Sequence, residues 1–79
     1  MTEKIMKELF EVVQAANWYK KQGDYQEYLD RALVAATSLC SYMPDPIAAE
    51  LLTKIAKGGP SYPHECRVIA LKGLARKSN

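Results

Sequence analysis

Along residues 3–21, apolar side chains recur at alternating steps of four and three: Ile5, Leu9, Val12, Ala16 and Tyr19. That spacing is one face of a helix, and Met6, Phe10 and Val13 widen the stripe. Glu3 near the start and Lys20 and Lys21 in the last turn suit the helix dipole, and Gly23 is the residue type that closes a helix in the left-handed region. A helix is predicted over about 3–22. Asp24 followed by Glu27 reads as a capping box, so a second helix starts at once and runs over about 25–43. Its stripe is Tyr25, Leu29, Ala32, Leu33, Ala36, Leu39, Cys40 and Met43, and so short a connection makes the pair an antiparallel hairpin.

Pro44 stops the second helix, because a proline offers no donor and disfavours helical geometry in the residue before it. Asp45-Pro46 then reads as an N-cap followed by proline at the first helical position. Ile47, Ala48, Leu51, Leu52 and Ile55 give a third helix over 46–57, closed by Gly58-Gly59. Gly58 to Pro63 is the one real loop, and a fourth helix follows over about 63–76. No segment alternates with the period of a strand. The fold class is therefore all-α: residues 1–79 as one domain of four short helices in two antiparallel hairpins, a compact helical bundle.

Two helices carry more apolar girth than a small bundle needs. Around the fourth, Glu65, Lys72 and Arg76 share one narrow side, while Cys66, Val68, Ala70, Leu71, Gly73, Leu74 and Ala75 cover most of the rest, interrupted by Arg67. The second adds Tyr28, Ala35 and Tyr42 at seven-residue intervals, a further line of contact. Such surplus is either central in the core or covered by another molecule. Trp18, Tyr19, Tyr25 and Tyr28 gather at the first hairpin turn, and Tyr and Trp are the aromatics favoured where one end is packed and the other wet. Trp18, Tyr19, Tyr25, Tyr28 and Tyr42 are the candidate partner-binding residues; the bland alternative is that the first four only cap one end of the bundle.

The segment Val12 to Ala36, with Tyr19, Gly23-Asp24-Tyr25 at the turn and then Ala32, resembles one tetratricopeptide unit, a helical hairpin used for protein binding. Val12 stands where that family has Trp, Ala15-Ala16 where it has Leu-Gly, and Tyr28 where a small Ala lets the helices close. No second copy follows about 34 residues later, although such repeats normally come in threes or more. The likeness is to the hairpin, and no binding residues are carried over from it.

Composition narrows the classes. The chain has 79 residues, 48% hydrophobic and 25% charged, with a net charge of +2, which is too apolar and too neutral for a disordered segment. No run approaches the roughly 18–20 apolar residues that cross a bilayer, and the first twenty residues mix charge with apolar positions, unlike a signal peptide; the expected address is the cytoplasm. Cys40 and Cys66 are too few for a disulfide scaffold and read as free thiols on apolar helix faces. Together with His64 and Asp45 they are the only metal set worth weighing, but their spacing lacks the paired ligands of a zinc site, so no metal or cofactor is expected.

A single histidine without an orienting partner makes a Cys–His nucleophile no better, and Asp24, Glu27 and Asp30 are explained by capping and solubility. Gly58-Gly59 lacks the strand-to-helix setting of a phosphate loop. An enzyme is not expected. Charge is uneven: residues 1–39 hold five Lys/Arg and six Asp/Glu, net −1, and residues 40–79 hold six and three, net +3. Arg67, Lys72, Arg76 and Lys77 on the last helix and tail support an alternative, a small basic nucleic-acid-binding or transcription-regulatory protein. The favoured expectation is a non-enzymatic protein acting by binding another protein, or a second copy of itself as a homodimer. Regulators, adaptors and inhibitors of larger assemblies, including those encoded by phages and mobile elements, work in that way.

Overall fold

Gly23, at φ 85° and ψ −7°, turns the chain between its first two helices in a conformation that a side chain would strain. The computed structural model describes residues 2–77, with the side chains of Lys21 and Lys77 outside the described set. Helix α1 covers Thr2–Tyr19, α2 Tyr25–Cys40, α3 Pro46–Lys57 and α4 His64–Lys77. Short 3-10 turns at Lys20–Gln22 and Gly59–Ser61 flank the first and third connections. The described residues form an all-α bundle in which α1 packs on α2 and α3 on α4, and the contact of α2 with α4 joins the two hairpins.

The sequence expectation and the structure differ at both ends of α2. Asp24 sits at φ −99° and ψ 22°, away from the extended geometry of an N-cap, and its side chain makes no capping bond. Only its carbonyl serves the helix, accepting from the Tyr28 N–H at 3.3 Å. Glu27 bonds forward to Arg31 at 2.8 Å, so the capping box does not form. At the other end α2 stops at Cys40, three residues short of 43. The N–H groups of Ser41, Tyr42 and Met43 donate to carbonyls three residues back, at 3.1, 3.1 and 3.2 Å. This tightening precedes Pro44, whose ring and missing donor prevent an ordinary helical continuation.

Asp45 does behave as an N-cap. Its Oδ1 accepts from the Ile47 N–H at 2.8 Å, with Pro46 in the first helical turn. The loop after α3 is tied down twice. The Asn17 side-chain amide donates to the Pro60 carbonyl at 2.7 Å, and the Tyr62 ring lies 6.0 Å from that of Phe10. Tyr62 also folds back so tightly over Gly58 that a Cβ there would collide with its ring.

The core draws on every helix: Met6, Val13 and Ala16 of α1, Ala32, Ala36 and Leu39 of α2, Ala48, Leu52 and Ile55 of α3, and Cys66 and Ala70 of α4 are shielded from solvent. Five of these eleven are alanines, which lets the helices approach closely. Helix α2 contributes the most buried positions and touches all three others, so it is the centre of the bundle.

Candidate protein-binding surface

Burial separates the apolar surplus into used and unused parts. Ala35 is buried and Tyr28 and Tyr42 are half-buried against the core, but Tyr42 lies past the end of α2 and Ala35 and Tyr28 still border surface hollows, so this line is only partly covered within the chain. Around α4, Cys66, Ala70 and Gly73 face inward, while Leu71 is 57% exposed. Among the described residues the large apolar side chains left in water are Ile5, Val12, Trp18, Val34 and Leu71, and four of these five belong to the α1–α2 hairpin. Val34, at 67% exposure, is the most prominent. It lies two residues, or about 200°, from the buried Ala36 and therefore points away from the core stripe.

Between the hairpin's helices runs a groove of about 450 Å³, lined by Leu9, Val12, Asp30, Arg31, Val34 and Ala35. A second hollow of about 390 Å³ shares Val12 and Arg31 with it and continues along Glu8, Glu11, Ala15, Tyr19 and Tyr28. The Tyr19 and Tyr28 rings stack with centroids 3.5 Å apart and planes 4° from parallel. Trp18 meets Tyr19 edge-on at 4.8 Å, and the Arg31 guanidinium lies 5.3 Å over Tyr28. Tyr28 therefore fills, by stacking, the place where a tetratricopeptide hairpin has alanine. Glu27 holds Arg31 in this position at 2.8 Å. Among the described residues neither Glu8 nor Glu11 is in an ion pair, and Asp30 accepts a hydrogen bond from the Gln26 amide at 3.1 Å. The groove thus has Asp30 and the Glu27-paired Arg31 at its edge, and the adjoining hollow adds the carboxylates of Glu8 and Glu11.

Of the five candidate binding residues, Trp18, Tyr19 and Tyr28 come together here. Tyr25 does not join them: Lys20 lies 5.4 Å over its ring, and burial, then the charges of Glu65 and Cys66, raise its phenol, placing it beside the start of α4. Tyr42 lies beyond the far end of α2, packed against the core. Ile5 and Val12 belong to the apolar stripe read along α1 but lie at its exposed edge, because Met6, Val13 and Ala16 are the positions turned to the core, while Val34 sits off the stripe of α2. Its readable signal was a bulky apolar residue standing among Arg31, Thr37 and Ser38 on a polar face.

The basic residues of α4 do not form one face. Lys72 and Arg76 are exposed and line a small cleft with Thr37, Cys40, Ile69 and Gly73 at the α2–α4 seam. Arg67 lies about 140° and 180° around the helix from them. It is half-buried, with its Nε shielded and unbonded among the described residues. The side chain of Lys77 lies outside the described residues. Nor do the thiols and His64 converge: among the described residues no three His, Cys, Asp or Glu side chains form a group able to hold a metal. The Cys40 thiol donates to the Ile69 carbonyl at 3.5 Å, and Cys66 is fully buried.

Burial, reinforced by the charge of Glu65, pushes the Cys66 thiol from its ordinary 9.0 up to about 11. The folded chain thus keeps this proton where the unfolded chain releases it. Between pH 9.0 and about 11 the unfolded state binds fewer protons, so stability falls as pH rises through that window and the contribution is intact below it. The urea midpoint is expected to hold up to about pH 9 and decline above, and Cys66→Ala should make the decline shallower. An unchanged slope in that variant would show that the thiol is not withheld from solvent.

No family model matches the chain, and neither a curated protein nor a solved structure matches it. Among the described residues no helix is long and apolar enough to cross a membrane.

Proposed function

We propose that this chain is a small cytoplasmic, non-enzymatic binding protein, a regulator, adaptor or inhibitor that acts by docking another protein on its α1–α2 face. The observation that supports this most is the groove along Leu9, Val12, Val34 and Ala35, continued by the Trp18–Tyr19–Tyr28 cluster. Large apolar side chains grouped on one face, with tyrosine and tryptophan at one end and carboxylates on the rim, have the make-up of an interface centre and its border. The second helix of the hairpin keeps Val34 there although a polar residue would serve the same helix in water.

Affinity capture from native cell extract tests the proposal. The wild-type chain is expected to retain a protein that Val34→Glu loses by at least tenfold, while the circular dichroism melt of the variant stays unchanged because Val34 bears little of the core. Retention of nucleic acid alone, falling steeply with salt, would overturn it in favour of the basic Lys72 and Arg76 side. Equal protein capture by both chains would remove the α1–α2 face as the site.

A further inference from the structure

We infer that the α1–α2 groove receives helix α4 of a second copy of this chain, so that copies join head to tail. The inference rests on the binding role proposed above and specifies the occupant. The groove calls for an apolar line on a helix, flanked by cations. Its apolar lining is Leu9, Val12, Val34 and Ala35 with Asp30 at its edge, and the hollow that adjoins it adds Glu8 and Glu11. Arg31, the cation on its lining, is already held by Glu27. Helix α4 presents what this site takes. Val68, Leu71 and Ala75, spaced by three and four, run along one side, with Leu71 57% exposed, and Lys72 and Arg76 stand exposed beside them.

That side is free for docking without disturbing the bundle. Helix α4 packs into its own chain through Cys66, Ala70 and Gly73, roughly 170° around the helix from the line of Val68, Leu71 and Ala75. Charge agrees with shape: Lys72 and Arg76 outnumber Glu65 on that side of α4, while Asp30 at the groove and Glu8 and Glu11 in the hollow beside it are acidic, so the two patches attract each other across copies. Because the patches are different surfaces, the contact repeats from copy to copy as an open chain or closes as a ring, the smallest ring being a reciprocal pair in which each α4 enters the other's groove.

Sedimentation of the full chain and two variants tests this. The wild-type mass is expected to rise above the 8.9 kDa monomer with concentration, and the association to weaken at least tenfold as salt screens these charges. Val34→Glu spoils the groove and Leu71→Glu spoils the helix, so each alone should remain at 8.9 kDa. Mixed in equal amounts, the intact α4 of the first enters the intact groove of the second, and a species of twice 8.9 kDa forms and grows no further. A mixture that stays monomeric overturns the inference, as does a wild-type chain monomeric at about 1 mM, where even a weak contact is populated. If either Glu variant misfolds by circular dichroism, Val34→Ser and Leu71→Ser take its place with the same outcomes. A monomeric wild type whose capture of a different protein is still abolished by Val34→Glu sinks self-docking and leaves the binding role standing; capture indifferent to Val34→Glu sinks both.

Discussion

Leu39→Ala is expected to cost about 2–5 kcal/mol, the range for removing a leucine side chain from a closed core. Leu39 is at 0% exposure on α2, the helix that touches α1, α3 and α4 together. A cavity there cannot be filled by one neighbour moving inward, because each neighbour is also held by another helix. The total stability of a domain this size is about 4–12 kcal/mol, so the loss is a large part of it. It corresponds to a fall in melting temperature of roughly 10–30 °C. In urea the midpoint should fall with the slope unchanged. Val34→Ala on the same helix gives the contrast: at 67% exposure it should move stability by no more than about 0.5 kcal/mol, partly offset by alanine's better helix propensity. A Leu39→Ala loss below about 1 kcal/mol would mean that α2 is not central.

The same contrast explains how much of the molecule its sequence discloses. Helix positions were legible because the stripes of α1 and α3 keep a strict helical period, and Asp45-Pro46 is a start signal that works through one short local bond, Ile47 N–H to Asp45 Oδ1. The capping box at Asp24 failed for a reason that composition does not carry. The 3-10 turn and the left-handed Gly23 deliver Asp24 in a backbone conformation from which its carboxylate does not cap. Likewise, the end of α2 at Cys40 reflects a run of bonds to carbonyls three residues back before Pro44, which the apolar stripe running on to Met43 conceals.

For the candidate site, periodicity identifies the apolar sides of a helix but says nothing of which neighbour covers each. Of the line Tyr28, Ala35 and Tyr42, Tyr42 packs against the core while Tyr28 and Ala35 border the surface hollows, and Val34, outside every stripe, is exposed. The aromatic corner shows the same limit at closer range. Trp18, Tyr19 and Tyr28 meet because the hairpin crosses there, while Tyr25, one turn from Tyr28, falls to the α4 side of the same helix.

Gly73→Ala is the second substitution with a large expected effect, and its sign depends on the α2–α4 seam. In an exposed helix the change would stabilise by about 1 kcal/mol, since alanine restricts the unfolded chain and favours the helix. Gly73 is buried, and a Cβ built there would collide with the Cys40 Sγ, sit 3.1 Å from the Cys40 Cβ and lie 3.6 Å from Leu52 Cδ1. The sulfur has no easy retreat, because Cys40 is itself buried and its thiol is directed to the Ile69 carbonyl. Overpacking of this kind costs about 1–3 kcal/mol, so Gly73→Ala is expected to destabilise where propensity alone predicts a gain. Cys40→Ala removes the obstructing sulfur and alone should cost about 1 kcal/mol for the contact and space it gives up. In the double variant the methyl at 73 occupies the room the sulfur left, so the two losses should not add; a coupling of about 1–3 kcal/mol favouring the double variant is expected from urea unfolding of all four proteins. A stabilising Gly73→Ala, or losses that simply add, would mean that α4 does not approach α2 at this point, and the join between the two hairpins would have to lie elsewhere.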